Sequence, residues 1–100
     1  MLYKIKTSES ADKDLKEIAD YLAEYAGKEP TIKYIYRLKK RVFNLLRKFP
    51  NSCAKHGKYR YFVIDRYIVI YAVYDVLKKV RIIMFAHQNS NYKNDMVTRA

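Results

Sequence analysis

The chain opens on a period-two alternation in which Tyr3 and Ile5 share one face and Leu2, Lys4 and Lys6 the other. That pattern predicts a strand with one side against a core. Ser8 follows with a side-chain oxygen suited to capping a helix, and Glu9, Asp12 and Asp14 place negative charge at the positive end of its dipole. Ala11, Leu15, Ile18, Leu22 and Tyr25 then recur at helical spacing, so the helix is expected to bury that stripe. Gly27 can end it in a left-handed conformation, and Pro30 can open the next helix without losing a hydrogen bond. From about Thr31 a second series, Ile35, Leu38, Val42, Leu45 and Phe49, predicts a second helix, antiparallel to the first and ended by Pro50-Asn51. Its outward positions carry Lys33, Arg37, Lys40, Arg41, Arg47 and Lys48.

After a polar loop, the runs Tyr59 to Ile64, Tyr67 to Tyr74 and Lys79 to Ala86 are rich in Tyr, Val and Ile and broken at Asp65-Arg66 and around Asp75 to Lys78. They predict a three-stranded meander. In the middle run Ile68, Ile70 and Ala72 face one way and Tyr67, Val69, Tyr71 and Val73 the other, so this strand is expected to be central and covered on both sides. Residues 88–100 are polar without a trustworthy period, hence a final short element or a loose tail. The expected fold is α+β in the order β-α-α-β-β-β, a two-helix hairpin on a small antiparallel sheet, with the partner of the first strand left open.

With 100 residues, half of them hydrophobic, and only two Gly and two Pro, the chain is expected to form a single domain over 1–100. Charge interrupts every apolar run well short of the ~20 residues that a membrane span requires, and Lys4, Lys6, Glu9, Asp12 and Lys13 break any secretory-type start, so a cytoplasmic protein is expected. Cys53 is the single cysteine; with His56 it makes one C-x-x-H pair, and no second pair supplies the four ligands of a structural zinc site, so no metal is expected. No Gly-rich phosphate loop or paired-carboxylate signature points to a cofactor. The formal charge of +11 exceeds the magnitude of ~2 to 8 that serves solubility in a small domain, and so implies an acidic protein or polyanion as partner.

Asp14-Leu15, Glu17-Ile18 and Tyr21, then Leu46 and Phe49-Pro50, then Arg60, Tyr67 and Tyr71 within Y-I-V-I-Y, and finally His87 occur in an order that resembles the RelE/ParE toxins over residues 2 to about 92. The resemblance implies the toxin of a type II toxin-antitoxin system, held in check by a cognate antitoxin. It implies growth arrest either by inhibition of DNA gyrase or by cleavage of mRNA on the ribosome. In strongly active RelE-like members an arginine precedes the central strand's V-Y and basic residues follow the last strand; here those places hold Ile68 and Gln88-Asn89-Ser90-Asn91.

Cutting RNA without metal takes a base for the 2'-hydroxyl, cations for the charged phosphorane and an acid for the leaving oxygen. His87, Arg60 and Arg66 are the candidates for those roles, with His87 as acid or base because imidazole titrates near neutrality. Lys55, His56 and Lys58 are candidate phosphate contacts, and Tyr92 a candidate base-stacking ring. Each also has a bland reading: a packed histidine, a solvated basic loop, a ring under a tail. Two further readings stand beside the toxin, a non-toxic basic nucleic-acid-binding module and a degenerate toxin that retains only antitoxin binding. Whether the chain is an enzyme depends on which target it takes.

Overall fold

The structure, a computed structural model, describes residues 2–90 and residue 92. The residues of the expected tail at Asn91 and 93–100 lie outside the described residues. The first strand, β1 (Lys4–Thr7), alternates exposed and half-buried side chains as its pattern predicts. Ser8 Oγ accepts a hydrogen bond from the Ala11 backbone N–H at 3.1 Å, and the cap starts helix α1 (Glu9–Ala26). Gly27 takes φ 87° between α1 and helix α2 (Lys28–Lys48), a conformation that costs a side-chain-bearing residue more. A short strand β2 (Ala54–His56) leads into β3 (Tyr59–Ile64), β4 (Tyr67–Tyr74) and β5 (Lys79–His87).

These strands form one sheet in the order β1-β5-β4-β3-β2. The meander is antiparallel as expected, with Arg60 opposite Tyr71 and Tyr67 opposite His87. The open question of the first strand is answered by β5: β1 joins its free edge in parallel, Ile5 opposite Val80, so the sheet as a whole is mixed rather than antiparallel. The helical hairpin supplies the long crossover that a parallel pair needs. The second difference is β2, where the sequence shows only a polar loop. Its three residues are all exposed, so the strand rests on backbone pairing with β3 and leaves no alternation to read.

The core lies between the helices and one face of the sheet. Ala11, Leu15, Val42 and Leu46 meet Val69, Tyr71, Val80, Ile82 and Phe85 there. On the opposite face Ile68, Ile70, Ile83 and Met84 form a smaller cluster with Tyr59, Ala86 and Tyr92 packed against it. β4 is therefore buried on both sides, as its two apolar faces require. Two residues of the expected stripes stand outside: Tyr25 is 74% exposed and Phe49 57%. The fully buried residues of α1, Ala11 and Leu15, sit in its first half, and Leu46 rather than Phe49 closes the buried stripe of α2.

β5 continues beyond the end of β1, and the start of α1 takes over its edge. Ser8 N–H donates to Ile82 O at 2.9 Å, Ser10 Oγ donates to Ile83 O at 3.3 Å, and Phe85 N–H donates to Asp14 Oδ2 at 3.1 Å. The Ser8 backbone and the Ser10 and Asp14 side chains thus satisfy backbone groups where the parallel ladder stops.

Candidate functional site

The candidate cations separate into two groups because of the strand register. Arg60 lies in the body of β3, opposite Lys55 of β2 and Tyr71 of β4, and its guanidinium donates to Cys53 O at 2.8 Å. His56 pairs with Tyr59, and Lys58 places its ammonium 5.3 Å from the Tyr59 ring. Arg66 occupies the β3–β4 turn, beyond Ile64, so roughly 13 Å or more of extended strand separates it from Arg60. The structure does not bring these two arginines together.

The turn itself is a two-residue connection with positive φ at both Asp65 (50°) and Arg66 (75°). Such a turn matches the twist of the hairpin but is unfavourable for Arg. It is braced from the helices: Arg41 holds the Asp65 carboxylate at 3.0 Å, and Tyr34 OH donates to the same oxygen at 3.3 Å. Burial and the Asp65 charge push the Tyr34 hydroxyl up to about 12, so it is a donor at neutral pH.

His87 ends β5 beside Arg66, with Gln88 N–H donating to Arg66 O at 2.8 Å. The His87 ring meets Tyr67 edge to face at 5.9 Å. Its Nδ1 accepts from Asn89 N–H at 3.1 Å, which leaves Nε2 to carry the proton of the neutral ring. Its carbonyl accepts from Ser90 Oγ at 2.7 Å and Ser90 N–H at 2.9 Å.

A cleft of about 310 Å³ opens here between α1 and the sheet, lined by Asp14, Glu17, Tyr21, Tyr67, His87 and Ser90 among others. Burial raises the Tyr67 hydroxyl, and a hydrogen bond with Tyr25 raises that of Tyr21, so both remain protonated at neutral pH. The chemistry of the cleft is that of two carboxylates, two phenols and one imidazole. A phosphate entering it would face the two carboxylates along its α1 wall. Sequence reasoning singled out His87 but not its neighbours as a site. Their signal was present: Asp14, Glu17 and Tyr21 are spaced three and four residues apart, which puts them on one helix face. Tyr92 packs against the Ile68, Ile70, Ile83 and Met84 cluster, on the sheet face away from the helices.

Among the described residues no group of three or more His, Cys, Asp or Glu side chains is placed to hold a metal ion. Among the same described residues no helix is long and apolar enough to cross a membrane.

A family model described as ParE toxin of type II toxin-antitoxin system, parDE, matches residues 5–92. Among solved structures the chain is similar to one from a chromosomal ParDE toxin-antitoxin system of P. aeruginosa, at TM-score 0.74 and 17% identity, covering 86% of this chain and 96% of that one. It is also similar to one from the RelBE2 toxin-antitoxin complex of Mycobacterium tuberculosis, at TM-score 0.65 and 15% identity over 87% and 99% of the two chains. The isolated E. coli RelE toxin follows at TM-score 0.54 and 19% identity over 97% of each. No curated protein sequence matches the chain.

Proposed function

The chain belongs to the ParE toxin family of type II toxin-antitoxin systems, and from that premise we propose that it arrests growth by binding and blocking a protein target, as in gyrase inhibition, rather than by cutting ribosome-bound mRNA. The observation that carries this reading is the separation of the candidate groups. His87 lies beside Arg66 but shares its cleft with Asp14 and Glu17, while Arg60 stands back along β3 from the turn that holds Arg66, by roughly 13 Å or more. Metal-free cleavage needs a base and cations around one phosphorus. In this reading His87 is a structural residue that caps the turn after β5. Arg60, Arg66, Lys55, His56 and Lys58 act as electrostatic contacts to an acidic protein surface, in keeping with the +11 charge.

A cognate antitoxin restrains the toxin. The exposed Tyr21 and Tyr25 of α1, with ring centroids 5.1 Å apart, and Ile32 and Tyr36 of α2 offer an apolar surface for an amphipathic antitoxin segment.

Expression from a tightly controlled promoter tests the proposal. Growth is expected to stop with messages intact by primer extension and with a DNA-damage response induced, and His87→Gln is expected to arrest growth as the natural chain does. Cleaved messages that disappear in His87→Gln would establish the nuclease and reject the protein-blocking reading.

A further inference from the structure

The turn between β4 and β5 is Asp75-Val76-Leu77-Lys78, and its two central side chains are 96% and 63% exposed. Turns favour Gly, Asn, Asp, Ser and Pro, each for a backbone reason. Val and Leu satisfy none of those reasons, and neither contributes to either core cluster. Nothing in the fold accounts for aliphatic side chains held in water at this tip.

The base of the tip is fixed by three segments of chain. Asp75 Oδ1 accepts from Tyr3 OH at 2.6 Å and from Asn51 Nδ2 at 3.0 Å. Lys4 N–H donates to Lys78 O at 2.9 Å, and the Lys78 ammonium lies 5.2 Å from the Tyr3 ring. Tyr3 N–H in turn donates to Arg47 O at 3.2 Å, at the end of α2. This lattice brings exposed Leu2, Phe49 and Tyr74 to the same end of the molecule as Val76 and Leu77. A preorganised apolar projection loses little freedom on binding, which is how a binding anchor is built.

Charge selects the occupant. The same three segments carry exposed Lys4, Arg47, Lys48, Lys78 and Lys79 against a single carboxylate, Asp75, which Tyr3 and Asn51 already engage. A second copy of the chain would bring like charge against like charge. An acidic protein surface with an apolar socket complements both features.

We propose that Val76 and Leu77, ringed by these cations, form the anchor that enters such a socket on the protein this toxin arrests. The assignment rests on the protein-blocking reading above. It separates the two partners in space: α2 extends for 21 residues, or about 30 Å at 1.5 Å per residue, with Ile32 near its start and Phe49 just past its end. The antitoxin takes the outer face of the helical hairpin, and the target is anchored at the tip, while cations elsewhere on the sheet, Arg66 among them, attract the acidic target at longer range.

The test replaces both tip residues, Val76→Asn with Leu77→Asn, which suits a turn, with circular dichroism and a thermal melt to check the fold. On induction, colony survival is expected to rise at least tenfold over the natural chain, while copurification with its cognate antitoxin is unchanged. Leu77→Glu alone is expected to act in the same direction. Full arrest by the folded double variant or by Leu77→Glu overturns the assignment, and so does loss of antitoxin capture. Cosedimentation of the natural chain with phosphatidylcholine-phosphatidylglycerol vesicles, abolished in the double variant, would make the tip a lipid contact and overturn it as well. A natural chain that fails to arrest growth defeats the underlying toxin reading, an outcome distinct from arrest that the variants leave untouched.

Discussion

Asp75 shows how much of this molecule depends on one exposed side chain. The Tyr3 hydroxyl, then the Asn51 amide, hold its carboxyl below the ordinary aspartate value of 3.8. Both donors favour the charged form, so the folded state binds its proton less readily than the unfolded chain does. The stabilisation is complete above pH 3.8 and is lost as the pH falls through the lower folded value. Thermal melts across acid pH are expected to show the natural chain losing stability in that range more steeply than Tyr3→Phe. Parallel curves would mean that the hydrogen bond from Tyr3 has no part in the acid response.

At the scale of elements, the join between β1 and α1 decides how the sheet is finished. β1 ends at Thr7 while β5 runs on to His87, so the groups of β5 past Ile82 need partners from elsewhere. Asp14 provides one by accepting the Phe85 N–H. Asp14→Ala removes that acceptor beside a buried strand, at a cost of roughly 1–3 kcal/mol. At about 4–8 °C per kcal/mol for a domain of this size, the melting temperature is expected to fall by several degrees. Amide exchange at Phe85 is expected to accelerate more than exchange at Val80, which the parallel ladder covers. Equal acceleration at both would assign the effect to α1 as a whole. The same geometry ties a residue of the family-like helix signature to sheet completion, a structural task quite separate from chemistry.

For the whole molecule, the distribution of charge matters more than its sum. The +11 excess is spread over separate parts of the molecule, with Arg60 in the body of β3, Arg66 in the β3–β4 turn and further cations along α2. Groups of one catalytic cluster lose activity non-additively, since removing any one disables the rest. Distant contributors to a field add. Arg60→Ala and Arg66→Ala are therefore expected to weaken growth arrest in steps that add on a logarithmic scale, while antitoxin capture changes less. A double variant no weaker than the more damaged single one would argue for a shared site. Unchanged arrest in the double variant would remove both arginines from target contact.

Local patterns were enough to mark every element but β2, because each of the others leaves a period in the chain. Ser8 capped α1, Gly27 broke the hairpin, and the runs at Tyr59, Tyr67 and Lys79 became strands beginning at those residues. The family-like residues were also visible, being individual side chains at fixed spacing. Pairing across long stretches of chain was not visible. The parallel seat of β1 on β5 depends on where two helices return the chain, and β2 is held by backbone bonds that no side-chain alternation records. The site followed the same division. His87 could be picked out as a residue type, but its placement among Asp14 and Glu17, the distance between Arg60 and Arg66, and the pinning of Asp75 by Tyr3 and Asn51 arise from contacts between segments far apart in the chain. Periodicity reports what each residue does for its own helix or strand, whereas the meeting of side chains from different elements exists only once the chain has folded.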